Sequence, residues 1–178
     1  MSDEPVKLLF AGPVGAGKTT ALRSLSDTEI VSTEIQLSDG ATSDKSTTTV
    51  AMDYSTITLD EDTTVHLYGI PGQERFDFMR EILSAGALGA IVLLDASSQT
   101  IRADCIHWLN ALHSINPELQ IVLGISKTDI AFDFSMADVR DAMRECQMTL
   151  PAMCVDPRDQ RQCAQLIRAL LLSAGLHE

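Results

Sequence analysis

The chain reads as an α/β protein, because apolar strand-like runs alternate with helix-compatible stretches from one end to the other. Gly12-Pro-Val-Gly15-Ala-Gly17-Lys18-Thr19 supports this: it lies between an apolar run, Val6 to Phe10, and a helix-compatible run, Thr20 to Leu25. A hairpin signal, two alternating segments flanking Asp60-Glu-Asp62, interrupts an otherwise strand–helix–strand series. Together these predict three layers: a six-stranded, mostly parallel sheet with one antiparallel strand and five helices, in a single domain over residues 1–178.

Val6–Ala11 has the continuous apolar character of a buried strand, and the helix after the glycine-rich turn extends to about Ser26. Ser32 to Thr49 is polar with little apolar periodicity and reads as a long loop, a feature that compact domains usually reserve for function. In Val50–Leu59 and Thr63–Tyr68, the stretches Thr56-Ile-Thr-Leu and Thr64-Val-His-Leu alternate as half-buried strands do. The turn Pro71-Gly72 leads into a helix over Glu74 to Ala85. Ala90–Leu94 is a strand, and Ile101, Cys105, Trp108, Leu112 and Ile115 mark a helix that stops before Pro117. Gln120–Ile125 is a buried strand, followed by a helix over Met136 to Cys146, a strand over Leu150–Val155 and a helix from Gln160 to Ala174.

Hydrophobic residues form 45% of the 178 and charged residues 21%, which favours a folded core over disorder. The net charge of −12 argues against nucleic acid and anionic membrane as partners, since both require basic patches. A phosphate site in this chain must therefore generate its own local positive field. Cys105, Cys146, Cys154 and Cys163 lack zinc-ligand spacing and read as reduced thiols. The acidic N-terminus, the short apolar stretch Ala87 to Leu94, Ser2 and the final Leu176-His-Glu178 predict a cytoplasmic protein with no direct membrane anchor.

The chemistry begins at the glycine-rich turn, where Gly12, Pro13, Val14, Gly15, Ala16, Gly17, Lys18, Thr19 and Thr20 are the candidate phosphate ligands. Glycines let successive backbone N–H groups turn inward around a polyphosphate, and the following helix N-terminus adds partial positive charge. Lys18 can reach the β- and γ-phosphates, while the Thr19 hydroxyl can hold magnesium. Gly69-Ile-Pro-Gly72-Gln73-Glu74 directly follows a strand, so Gly69 and Gly72 can present backbone N–H groups to a γ-phosphate. Gln73 is the candidate catalytic residue, orienting the attacking water. In Ser126-Lys127-Thr128-Asp129, Asp129 can accept hydrogen bonds from N1–H and the 2-amino group of guanine, neither of which adenine offers. Thr49, where the polar loop meets the next strand, is a second hydroxyl able to reach Mg²⁺.

With these segments in place the chain resembles the Ras-like small GTPases over essentially its full length. Thr49-Val-Ala-Met-Asp-Tyr54 is similar to the Thr-Ile-Gly-Val-Asp-Phe stretch of Rab proteins, which favours Thr49 over Thr47 and Thr48. Pro71-Gly72-Gln73-Glu74-Arg75-Phe76 is similar to the second switch of Arf and Rab proteins, and Ser126-Lys127-Thr128-Asp129 stands where the family has Asn-Lys-x-Asp. The resemblance implies a P-loop NTPase G domain that binds GTP and Mg²⁺ and hydrolyses GTP slowly to switch between loop conformations. By the same resemblance Lys127 packs along the base, and Val155-Asp156-Pro157 supplies the last base-contacting loop. An effector and a GTPase-activating partner are implied, of the roadblock type in the bacterial branch related to the gliding-motility switch.

Two positions depart from that pattern. Gly69 stands where the family usually carries an aspartate that holds a water on Mg²⁺, implying weaker magnesium coordination. Ser126 replaces asparagine, implying a less well braced base loop. Two rival readings follow: a nucleotide-dependent binding module without turnover, and an ATP-using enzyme in which Asp95, after Ile91-Val-Leu-Leu94, holds the metal. Arg75 and Arg80 read as a solvated helix face, with contact to a partner as the alternative, and the histidines as packing or surface residues.

Overall fold

A computed structural model describes residues 5–37, 48–59, 63–74 and 77–176; side chains are described outside 33–51. The elements in chain order are β1 (Val6–Ala11), α1 (Lys18–Leu25), β2 (Val31–Leu37), β3 (Thr48–Thr58), β4 (Thr64–Gly69) and α2 (Asp77–Ser84). They continue with β5 (Gly89–Asp95), α3 (Ile101–Ile115), β6 (Gln120–Ser126), α4 (Met136–Glu145), β7 (Ala152–Cys154) and α5 (Gln160–Ser173). The sheet order is β2-β3-β4-β1-β5-β6-β7, with only β3 running against its neighbours.

The α/β class, the single antiparallel strand and the five helices agree with the sequence reading, whereas the described residues form seven strands rather than six. The extra strand is β2, which occupies the start of the segment read as a loop from Ser32 to Thr49. Its odd positions, Val31, Thr33, Ile35 and Leu37, alternate with Ser32, Glu34 and Gln36. Only three of those seven residues are apolar, and the strand is completed by its ladder to β3, from Val31↔Tyr54 to Leu37↔Thr48.

Period-two alternation in the central strands divides the core between the two sheet faces. Leu8 and Phe10 of β1 and Ile91 and Leu93 of β5 meet Leu22 of α1 and Leu166 and Ile167 of α5. Leu9, Ala11, Val92 and Leu94 point the other way, against Met79 of α2, Trp108 and Leu112 of α3 and Val139 of α4. Twelve of these fifteen residues are fully covered, and Ile167, Trp108 and Met79 are at most 3% exposed, so the sheet centre is dry. Because β1 lies between β4 and β5, the connections leaving its carboxyl end diverge, which opens the crevice where such sheets bind ligands.

Candidate functional site

The glycine-rich turn leaves β1 at that crevice. Gly12 has φ +135°, and a Cβ there would stand 2.1 Å from the Leu93 carbonyl oxygen, so the close passage over β5 requires glycine. Lys18 arches back across the loop and donates from Nζ to the carbonyl oxygens of Gly12 at 2.7 Å and Pro13 at 2.8 Å. Burial pushes the Lys18 ammonium down to about 8, with the Asp53 carboxylate pulling in the opposite direction.

A cavity of about 540 Å³ runs from this loop to the ends of β6 and β7. Gly15, Ala16, Gly17 and Thr20 line its phosphate-loop side; Lys127, Asp129, Val155 and Asp156 line the other. Val14 is exposed at the loop tip. The structure therefore brings four of the predicted phosphate residues and four of the predicted base residues onto one cavity, although more than a hundred positions separate them in sequence.

Ser126 is placed differently from the expectation. It is fully buried, and its hydroxyl donates to Ala16 O at 2.7 Å and Leu94 O at 3.2 Å. It is a brace between the two halves of the site rather than a cavity-lining contact, and serine performs the bracing that its difference from asparagine had put in question. The next residue, Lys127, takes φ +59°, a costly conformation for a side-chain-bearing residue. Its ammonium bonds Asp95 Oδ2 at 2.5 Å, while Asp95 Oδ1 accepts from the Ser97 N–H and hydroxyl at 2.9 and 2.6 Å. Burial alone would raise the Asp95 carboxyl, but the Lys127 and Ser97 hydrogen bonds outweigh it and hold it below the ordinary value. Asp95 is thus engaged, in this structure, in fixing Lys127 and the start of the segment after β5.

Past β7, Asp159 caps α5 through the N–H groups of Arg161 and Gln162, and Gln162 in turn accepts from the Asp156 N–H at 2.9 Å. Arg158 forks onto Asp156, whose carboxyl is held at about 2 by these bonds, and approaches Asp129 at 3.8 Å. Arg158, Gln162, Cys154 and Ile130 also line the cavity but were not predicted as site residues, because they belong to no spaced motif.

Gly72 lies against the phosphate loop. A Cβ at Gly72 would lie 2.7 Å from Val14 N and 2.8 Å from Gly12 O, so its backbone rests directly on the phosphate loop. Gln73 follows it and is exposed. Gly69 does not fit. It pairs with Phe10 on one side and Asp53 on the other, inside the sheet, and its missing Cβ faces Leu22 and Asp53 rather than the phosphate loop.

Thr19 donates its hydroxyl hydrogen to Asp53 Oδ2, an all-oxygen pair of the kind a small hard cation takes. Asp53, on β3, went unread as a site residue because it belongs to no motif with Thr19. The backbone of Thr49 lies in β3 opposite Gln36, four residues before Asp53 and hence roughly 13 Å along the strand. In this conformation Thr49 and Thr19 do not converge, and the Thr49 side chain lies outside the described residues, as do Arg75 and Phe76.

Arg80 corrects another expectation. It is 4% exposed, with its guanidinium 4.1 Å over the Trp108 ring, bonded to Asp77 at 2.7 Å and within 3.1 Å of His107 Nε2. It joins α2 to α3 instead of facing solvent.

A strand–Gly-x4-Gly-Lys-Thr–helix unit with a nucleotide-sized cavity at the sheet's switch point defines a nucleotide-binding protein of the P-loop class. Residues 27–176 match the family described as a conserved hypothetical ATP binding protein, and the chain belongs to that family. The match starts beyond α1, so the family assignment and the phosphate loop are independent lines pointing to nucleotide binding. The chain is also similar to Uncharacterized protein MJ1339 of Methanocaldococcus jannaschii, 36% identical over 104 residues, which cover 58% of this chain and 60% of that protein. The aligned part thus spans less than two thirds of that relative's length. No described helix is long and apolar enough to cross a membrane.

Proposed function

We propose that this protein is a guanine-nucleotide switch that hydrolyses GTP slowly. The observation that carries the reading is the Asp129 carboxylate on the cavity wall, beside Lys127, at the end opposite the phosphate loop. Guanine offers that acid two N–H donors, whereas adenine offers it none. The family's description names ATP, so base identity is the point to test first. Nucleotide extracted from the purified protein is identified, and affinities for GTP, GDP and ATP are compared. Asp129→Asn should weaken GTP binding and improve binding of xanthine nucleotides, whose 2-oxo group accepts where guanine donates. Preferential ATP binding with no response to Asp129→Asn would replace the guanine reading with an adenine one.

In this reading the phosphate loop and Lys18 hold the triphosphate, Thr19 and Thr49 are the candidate magnesium ligands, and Gln73 orients water. Magnesium supplies charge neutralisation on the β- and γ-phosphates. Gly72, against the phosphate loop, couples γ-phosphate occupancy to the start of α2, and losing that phosphate frees the segment. The resemblance to Ras-like GTPases adds an effector and an activating partner, including one of the roadblock type. An arginine finger supplied in this way contributes a factor of about 10³–10⁵. Single-turnover hydrolysis by the protein alone should accordingly be slow; turnover of several per second without a partner would exclude such dependence.

A further inference from the structure

We propose that Asp53 is the acid of the magnesium site, carried on β3 in place of the carboxylate that Gly69 lacks. The inference rests on nucleotide binding at the phosphate loop and not on which base is bound. Its first support is the Thr19–Asp53 hydrogen bond. A hydroxyl that ligates a cation does so through an oxygen lone pair, and its proton then needs an acceptor. Asp53 Oδ2 takes that proton and leaves the Thr19 lone pairs available. Carboxylates beside metal ligands orient them in this way and also hold metal-bound water.

The second support is steric. Asp53 and Gly69 are directly paired across β3 and β4, and a Cβ on residue 69 would lie 3.3 Å from Asp53 Cβ and 3.1 Å from Leu22 Cδ1. Two acids at this pair would be crowded and of like charge, which destabilises a cross-strand pair. Glycine at 69 gives Asp53 its space, so the loss on one strand and the gain on the other form one exchange.

The third support is how the carboxylate is held. Asp53 Oδ1 accepts from Ser32 Oγ at 3.0 Å, and Ser32 lies opposite Asp53 in the β2–β3 ladder. The acid is therefore gripped by α1 on one side and by the edge strand on the other. Lys18 lies within its field, so the same charge faces the phosphate-binding ammonium. Among the described residues no group of three His, Cys, Asp or Glu side chains converges into a protein-only metal site. An ion here takes most of its remaining ligands from phosphate oxygens and water, as magnesium does at nucleotides.

The test uses Mn²⁺ as a paramagnetic probe, with its affinity measured by electron paramagnetic resonance on the full chain saturated with GDP and, separately, ADP. Asp53→Asn, which retains the shape and an acceptor for Thr19, should weaken Mn²⁺ binding about tenfold or more. The exchanged variant Asp53→Gly/Gly69→Asp should recover at least part of that loss, which a purely structural role for Asp53 would not allow. Unchanged Mn²⁺ affinity in Asp53→Asn, or no recovery in a folded exchanged variant, overturns the inference. A tight site formed with ADP but not GDP, and lost in Asp53→Asn, would uphold Asp53 while refuting the guanine reading.

Discussion

The Ser126 hydroxyl lies 2.7 Å from Ala16 O and ties the end of β6 to the phosphate loop across 110 positions of sequence. One buried side chain thereby fixes the separation between the two ends of the nucleotide cavity. Ser126→Ala removes the donor from two buried carbonyls and should cost about 1–3 kcal/mol in urea denaturation. Nucleotide release should accelerate at the same time, while base preference stays with Asp129. Stability equal to that of the parent protein would show that the brace contributes nothing.

Lys18 predicts a pH dependence of binding. Its ammonium titrates at about 8 in the free protein, and a bound polyphosphate stabilises the charged form and raises that value. Below about 8 the lysine is already charged, so affinity should be flat with respect to this group. Above it, each binding event must take up a proton, and affinity should fall by up to about tenfold per pH unit. Fluorescent-nucleotide titrations between neutral and alkaline pH measure this; a flat alkaline limb would place the Lys18 titration higher.

Asp95 and Lys127 offer a second electrostatic test. The Asp95 carboxyl is held below its ordinary value, so its pair with Lys127 stabilises the fold above the unfolded carboxylate range. That contribution is lost as pH falls through the lower, folded value. Asp95→Asn should therefore reduce stability at neutral pH by about 1 kcal/mol and have less effect in acid. Release of nucleotide should also quicken, because Lys127 loses the partner that fixes it along the cavity wall. Denaturant midpoints at neutral and acid pH provide the comparison.

Gly72 carries a steric prediction. A methyl group there meets phosphate-loop backbone atoms at 2.7 to 2.9 Å, and backbone cannot swing aside as a side chain would. Gly72→Ala should displace one of the two segments at a cost of about 1–3 kcal/mol. Triphosphate affinity should fall more than diphosphate affinity. Equal losses for the two nucleotides would mean that Gly72 is not beside the γ-phosphate.

Arg80 makes a prediction about α2. Its guanidinium covers Trp108 and pairs with Asp77, while Nε is buried without a partner among the described residues. Arg80→Ala should lower stability by about 2 kcal/mol through lost stacking and packing. Arg80→Lys should recover little, since an ammonium lacks the planar face. Thermal melts of the two variants decide this.

The order of strands and helices was legible in the chain because buried parallel strands are written as apolar runs, from Val6–Ala11 to Gln120–Ser126, and helices as 3.6-residue stripes such as Ile101–Ile115. The phosphate loop and the Ser126–Asp129 segment were legible as candidates because each is a motif of residues adjacent in sequence, and the structure places both on one cavity. Four things came only from tertiary structure: β2 as a seventh strand, Ser126 as a brace, Arg80 as an interior group and Asp53 beside Thr19. Each depends on a partner 28 to 110 positions away or on ladder pairing at a sheet edge. Local pattern records which face of an element is apolar; it does not record which polar atom on another element will be within 3 Å. Asp53 illustrates the difference: in sequence it is an acid in an alternating strand, and only the pairing with Gly69 and the approach of α1 bring it to the Thr19 hydroxyl.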